Sequence, residues 1–428
     1  MKEILINEYN NTEILGIDYK EPSNSFIVHF INGAFFEIKG PMEKSYRVVF
    51  SDNKTGEVIH TWEITNNMWT KSSIEYFVEW DIKAYELDTN ELVFQHTYNA
   101  ENKRVYVHLD SSAVGDTLAW FPYIDEFRKK HNCEILCSTF HNDWFEKMYT
   151  EITFITPGTP VHNLYAMYKI GWFYDGQEVV KTKIPIDFKQ HPLQETSSCI
   201  LGLEYTEIKP MINIPDEPSR FEGKYAVIAP HASAHAKYWM NPGGWQAVID
   251  YLNNRGYKVV MITSEKLGDP WHDSKLGGTL KGVIDKTGGH IDLMDRIIDI
   301  KHASLFIGLG SGLSWLSWAV GTPTILISGF SYPVSEFGDC YRLFTPDTQN
   351  TCNGCFNRHW LNPGDWEWCP DHKDTPRHFE CSKTITTEMV IDGIKHYLPE
   401  EQQKVEEVIE EVKKKSFLGK FFWLYLQL

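Results

Sequence analysis

The run Leu305-Phe306-Ile307-Gly308-Leu309-Gly310-Ser311-Gly312-Leu313-Ser314-Trp315 leaves this chain few folds to choose from. A short apolar stretch, long enough for a buried strand, meets three glycines and passes directly into residues with helical spacing. Such a turn aims free N–H groups and the positive end of a helix at an anion, while glycine allows close backbone approach. Ser311 and Ser314 are candidate hydroxyl donors beside Gly310 and Gly312. The plain alternative is a tight strand-to-helix turn that binds nothing, since neither the dinucleotide nor the P-loop spacing is present.

The surrounding chain fits that turn. Over 216–340, strands are expected at 225–229, 258–263, 283–285, 305–309 and 324–328, with helices at 244–253, 293–302 and 313–320. Over 103–215 the same alternation is expected, with strands at 105–109, 134–138 and 152–156, helices at 117–130 and 142–149, and a linker at 210–218. Strands alternating with helices imply parallel sheets covered on both faces, so the fold class is α/β with two doubly wound domains. In such sheets ligands lie at the carboxyl ends of the strands, and two units in tandem predict a bilobal enzyme with a cleft. Residues 1–102 read differently, as short strands at 26–30, 34–38, 46–50, 58–64, 74–82 and 92–97, which fits an N-terminal β-barrel or sandwich for binding or assembly. Residues 341–428 hold a cysteine-rich segment and a charged helix at 400–415. The apolar segment that the helix runs into, 417–426, is too brief to span a bilayer and suits a partner subunit or a neighbouring domain better.

The formal net charge of −17 argues against general affinity for nucleic acid or an anionic membrane. No window reaches membrane-spanning length, and the start Met1-Lys2-Glu3-Ile4 opens into a polar segment, so the protein is expected in the cytoplasm. A site for a phosphorylated ligand must then be a local exception. Pro230-His231-Ala232-Ser233-Ala234-His235-Ala236-Lys237 follows the first strand of the second domain, and its Ser233 and Lys237 suit a diphosphate. Glu265, just past the next strand, can accept hydrogen bonds from a ribose or sugar. Solvated surface roles are the alternatives for Lys237 and Glu265.

In the first domain, His108-Leu109-Asp110-Ser111-Ser112-Ala113-Val114-Gly115-Asp116-Thr117 offers two carboxylates. One of them facing the cleft would take a proton from an attacking hydroxyl. Asp110 ends a strand and is the first choice; Asp116 opens a helix, where an N-cap is the ordinary reading. The third constellation is Cys352-Asn353-Gly354-Cys355 with Cys369 and Cys381. The close pair has knuckle spacing, and four thiolates suit tetrahedral zinc or iron, with His359, His372 or His378 as substitutes for a cysteine. Four reduced thiols are the alternative. Cys133, Cys137, Cys199 and Cys340 read as small core residues.

These segments together, with Pro192-Leu193-Gln194, resemble glycosyltransferase family 9, the heptosyltransferases of the GT-B fold. With the β-rich front region and the cysteine set, the closer resemblance is to the bacterial autotransporter heptosyltransferases. That resemblance implies transfer of heptose from ADP-heptose to serine hydroxyls of an autotransporter passenger. It also implies a homo-oligomer, a dodecamer, and iron (Fe3+, one ion per subunit, with zinc as the alternative) held by Cys352, Cys355, Cys369 and Cys381. Carried across, Asp110 is the base, and Lys237 with the 310–314 turn serves the diphosphate. Two departures bear on this. Lipopolysaccharide heptosyltransferases carry Asp-Thr-Gly where this chain has Gly310-Ser311-Gly312, and their acidic base matches Asp116 in position. A lipopolysaccharide core heptosyltransferase and a non-catalytic metal-knuckle scaffold are the competing readings.

Overall fold

The computed structural model describes residues 24–289, 292–345 and 351–399, so the expected tail helix at 400–415 and its apolar end at 417–426 lie outside the described residues. The chain divides into two compact units. The first comprises the described residues up to Asp216, together with Tyr332–Gly338 and Phe356–Trp360; the second comprises the rest.

The first unit opens with β1 (Ser25–Ile31), β2 (Phe35–Lys39), β3 (Ser45–Asp52), β4 (Val58–Thr65), β5 (Trp69–Lys71), β6 (Trp80–Glu86) and β7 (Leu92–Thr97). It continues with β8 (Arg104–Leu109), α1 (Val114–Trp120), α2 (Pro122–His131), β9 (Glu134–Ser138), β10 (Ile152–Phe154) and β11 (Ala166–Ile170). A short hairpin of β12 (Tyr174–Asp175) and β13 (Glu178–Val179) and the helix α3 (Glu195–Ile200) complete it. The expected helix at 117–130 is two helices, because Pro122 has no N–H to continue the first and starts the second at its N1 position. The helix expected at 142–149 is only a 3-10 turn, Asn142–Trp144.

The N-terminal strands form no closed barrel among the described residues. β3, β4, β6 and β7 make a four-stranded antiparallel sheet, while β1, β2 and β5 extend the parallel sheet in the order β10-β9-β8-β11-β1-β2-β5. The two sheets pack face to face through Phe26, Phe36 and Phe94, with ring centroids 5.3 Å apart for both Phe26–Phe94 and Phe36–Phe94. That is the sandwich half of the expectation. Barrel closure is prevented because the free edge of β1 pairs in parallel with β11, Phe30 opposite Ala166. The strand expected at 74–82 is confined to its end, since the chain at Ile74–Glu79 is irregular and β6 begins at Trp80.

The second unit contains β14 (Tyr225–Ala229), α4 (Gly244–Asn254), β15 (Lys258–Thr263), α5 (Pro270–Lys275), β16 (Val283–Thr287), α6 (Leu293–Lys301), β17 (Leu305–Leu309), α7 (Gly312–Val320), β18 (Thr324–Ile327) and β19 (Tyr341–Leu343). After the cysteine-bearing turns α8 (Cys355–Arg358) and α9 (Glu380–Lys383), the described chain ends on α10 (Thr387–Tyr397). Every strand pair is parallel, in the order β16-β15-β14-β17-β18-β19. This is the doubly wound order whose direction reverses between the first and fourth strands, here β14 and β17. β14 and β17 are buried at every residue, as continuous apolar runs in a sheet covered on both faces must be.

Burial holds three histidines of the first unit, His29, His108 and His131, near a pKa of about 4, aided by the nearby cations Lys71, Lys169 and Lys130 respectively. Above their unfolded pKa of about 6.5 they are neutral whether folded or not. Below it the unfolded chain takes up protons that the folded chain refuses until near pH 4. Stability is therefore expected to fall as pH drops from about 6.5 to about 4, by at most about 1.4 kcal/mol per histidine per pH unit. Urea unfolding midpoints measured from pH 7 to pH 5 check this; a flat profile would count against it.

Candidate functional site

The reversal of strand order in the second unit puts two loops side by side. One leaves β14 and runs Pro230 to Asn241; the other leaves β17 and becomes the start of α7. Crevices at such reversals are where open α/β sheets take up ligands. Gly308 is glycine for a packing reason, because a Cβ there would meet the Phe306 ring at 2.5 Å and the Ser314 hydroxyl at 3.0 Å. Ser314 donates its hydroxyl proton to the Leu309 carbonyl at 2.6 Å, which closes the turn and leaves it no proton for a ligand. Ser311 differs. It stands at the N-cap of α7 in extended conformation with no capping bond, and its buried Oγ has no hydrogen-bond partner. A buried hydroxyl with unmet capacity, beside the unfilled N–H groups of a helix start, fits an anionic ligand.

In the facing loop, Ser233 is exposed and Lys237 ends a 3-10 turn, His235–Lys237, with its ammonium 5.5 Å from the Phe330 ring centroid. Both ring nitrogens of His231, only 4% exposed, lack a partner. His235 is 6% exposed, and burial lowers its pKa to about 4. The Glu367 carboxylate lies 3.1 Å from its Nδ1 and favours the charged ring, but not enough to offset burial. Glu265 is half-buried at the end of β15. Burial alone would raise its carboxyl, but hydrogen bonds from the Thr263 hydroxyl and its own backbone N–H outweigh that and hold it below the ordinary value.

The first unit repeats the arrangement. Its parallel strands run β10-β9-β8-β11, so the order reverses between β8 and β11, and the two carboxylates lie at that point. The Asp110 N–H bonds the Ile170 carbonyl at 2.8 Å, fixing the end of β8 to the end of β11. Its carboxylate pairs with Lys169 at 2.8 Å and keeps 28% of its side chain exposed. Gly171 lets this happen, because a Cβ there would come within 3.1 Å of that of Asp110. Asp116 is not the N-cap of α1; that position is Ala113, and Asp116 lies within the first turn. One oxygen of Asp116, Oδ2, accepts from Ser111 Oγ at 2.6 Å and from Trp172 Nε1 at 2.8 Å. Lys169 and Trp172 were not singled out in the sequence, because the strand that carries them to the site, β11, was not recognised.

The cysteines separate into two kinds. Desolvation pushes the pKa of the buried Cys133 and the half-buried Cys199 up to about 12, and that of the buried Cys137 further in the same direction. Cys352, Cys355, Cys369 and Cys381 instead interact with one another. Hydrogen bonds from Cys355 and Cys381 hold the Cys352 thiol far below the usual range, while the bond to Cys352 and burial push Cys381 well above it. Cys369 is raised by burial and, more weakly, by the charge on Cys352. Among the described residues the four thiols expected from the sequence are not gathered as one set of ligand atoms; the group that is gathered takes one of them, Cys352. Cys352, His372 and Glu380 offer ligand atoms that all lie within 4.8 Å of one another. Glu380 accepts the Cys352 N–H at 2.9 Å, and Nε2 of His372 lies 3.7 Å from it. His372 was foreseen as a substitute ligand; Glu380 was not.

The chain is similar to several known proteins. The profile of glycosyltransferase family 9 (heptosyltransferase) matches residues 182–336. An autotransporter heptosyltransferase of Citrobacter rodentium, BAHTCr, is 35% identical over 352 residues, covering 80% of this chain and 83% of its own. BimC of Burkholderia thailandensis, described as an inactive autotransporter heptosyltransferase, is 31% identical over 304 residues, 70% of each chain. Among solved structures, the iron-containing dodecameric glycosyltransferase TibC from enterotoxigenic E. coli H10407 superposes with a TM-score of 0.76 at 31% identity, covering 87% of this chain and 95% of that one. A second structure of TibC holds ADP-D-beta-D-heptose. No helix among the described residues is long and apolar enough to cross a membrane.

Proposed function

The chain belongs to the autotransporter heptosyltransferases of glycosyltransferase family 9, and from that membership we propose that it moves heptose from ADP-heptose to serine hydroxyls of an autotransporter passenger. One observation carries this reading: both units have their charged and glycine-rich loops at a reversal of strand order, the anion-fitted pair at β14/β17 and the carboxylates at β8/β11.

The chemistry follows from those roles. Lys237, Ser233, Ser311 and the N–H groups at Gly310 and Gly312 bind the diphosphate, and Glu265 accepts from the ribose. The acceptor oxygen bonds to the anomeric carbon as the bond from that carbon to the phosphate oxygen breaks. The acceptor proton passes to Asp110, with Asp116 as the alternative base. Negative charge grows on the departing ADP, where Lys237 and the helix start are positioned to stabilise it. Ser314 supports the turn and does not donate to the ligand.

Cys352, Cys355, Cys369 and Cys381 would hold one iron ion per subunit, with zinc as the alternative, and the ion would supply cross-linking to a segment that has little apolar core of its own. We further read the paired units as a GT-B enzyme, cytoplasmic, assembling as a homo-oligomer as TibC does.

The test is to incubate the purified protein with ADP-heptose and passenger fragments and to record intact mass. The passenger is expected to gain mass in steps of one heptose residue. The described inactivity of BimC favours one specific competitor, a scaffold that has kept fold and cysteines without transfer. An unchanged passenger beside measurable ADP binding would support that scaffold, and labelling of a lipopolysaccharide core instead would support the lipid-linked acceptor.

A further inference from the structure

The cysteine-bearing segment and the loop that carries Lys237 are joined by several side-chain hydrogen bonds, two of them made by Ser382. Ser382, next to Cys381 and only 4% exposed, donates its hydroxyl proton to the Tyr238 carbonyl and accepts the Met240 N–H at 2.8 Å. It thereby grips both peptide groups around Trp239, two residues after Lys237. A second bond reinforces the grip: the indole N–H of Trp239 donates to the Ile385 carbonyl at 2.8 Å, and that ring is 1% exposed. On the other side of the segment, Gly329 at the end of β18 sits so close to Cys381 that a Cβ would lie 2.9 Å from its carbonyl oxygen. The backbone after Lys237 is thus fixed from outside its own loop, by residues that follow Cys381 in the chain.

A lysine is a point charge on a flexible stem, so its value at a diphosphate depends on where its backbone is held. We infer that Ser382 is a positioning residue for Lys237, and that nucleotide affinity is thereby linked to the order of the segment around Cys381. This rests on the reading of Lys237 as a diphosphate ligand. The ordinary alternative is a buried hydrogen bond that contributes to stability alone. Thr322 supplies the control, because its hydroxyl donates to the Ile300 carbonyl at 2.8 Å in the same unit, at the far end of α7.

Calorimetric titration of the full chain with ADP tests the inference, with bound metal and melting temperature recorded for each variant. Ser382→Ala is expected to weaken ADP about tenfold or more with metal content unchanged. Ser382→Thr, which keeps the hydroxyl, is expected to recover most of that loss. Thr322→Ala should lower the melting temperature and leave ADP affinity within about twofold of wild type. Lys237→Ala tests the underlying reading. If wild type binds no ADP, or Lys237→Ala binds as wild type does, the donor-site reading fails and this inference with it. If Lys237→Ala weakens binding while Ser382→Ala does not, or Thr322→Ala weakens it equally, the inference alone is overturned. Should Ser382→Ala fail to fold, Trp239→Phe removes the second bond and keeps the ring; undiminished ADP affinity there would also overturn it.

Discussion

Asparagine in place of Asp110 is expected to slow heptose transfer about 10²–10⁴-fold while ADP affinity stays within about twofold, because the group lost is the proposed general base rather than a nucleotide contact. Several features single out this residue. Its backbone is tied to the neighbouring strand through the Ile170 carbonyl, so the carboxylate does not depend on a mobile loop. Lys169 compensates its charge at 2.8 Å, and more than a quarter of the side chain remains open to an acceptor. Asp116 is more heavily committed, since Ser111 and Trp172 both donate to one of its oxygens. Replacing Asp116 should therefore disturb the arrangement of the turn and cost less in rate. Single-turnover kinetics on both variants separate the roles; a larger chemical defect in Asp116→Asn than in Asp110→Asn would transfer the base assignment.

Serine in place of Cys381 is expected to produce the largest structural effect. If the proposed four-cysteine site holds the metal, bound metal should fall from about one ion per subunit to near none, since a structural metal site can contribute many kcal/mol to a small fold. Cleavage by a protease within 351–385 should accelerate, and ADP affinity should fall with it if Ser382 links the two sites. The structural reason is that Cys381 is hydrogen-bonded to Cys352 and that Gly329 packs closely against Cys381. Cys137→Ala is the comparison, because that thiol is fully buried in the first unit. It should destabilise the protein and leave metal content intact. Metal analysis and limited proteolysis check both variants; full metal occupancy in Cys381→Ser would remove that residue from the donor set.

How much of this was legible in the sequence depends on how local the cause is. β14, β15 and β17 were readable to the residue, because buried parallel strands are continuous apolar runs that stop at glycine, proline or polar residues. The glycine turn and the cysteines were readable because few residue types meet their demands. β11 was not, since Lys169 interrupts its apolar run and its partners, β8 and β1, are distant in sequence. With β11 went the Lys169 partner of Asp110 and the Trp172 partner of Asp116. The fate of the N-terminal strands was equally hidden, because alternation shows which face is buried but not which sheet a strand joins. Ser382 gave no signal, serine being common and its role arising wholly from what it touches.

The pairing of β1 with β11 has a consequence for how the protein is made. At about 5–20 residues per second the ribosome needs on the order of ten seconds to pass from Phe30 to Ala166. Throughout that interval β1 has one unpaired edge, and its apolar residues have only the antiparallel sheet to cover them. A nascent chain in that state carries an open strand edge of the kind that recruits other chains. The first unit is in this sense completed late, by a strand that sits in the middle of its sheet and arrives after most of its neighbours.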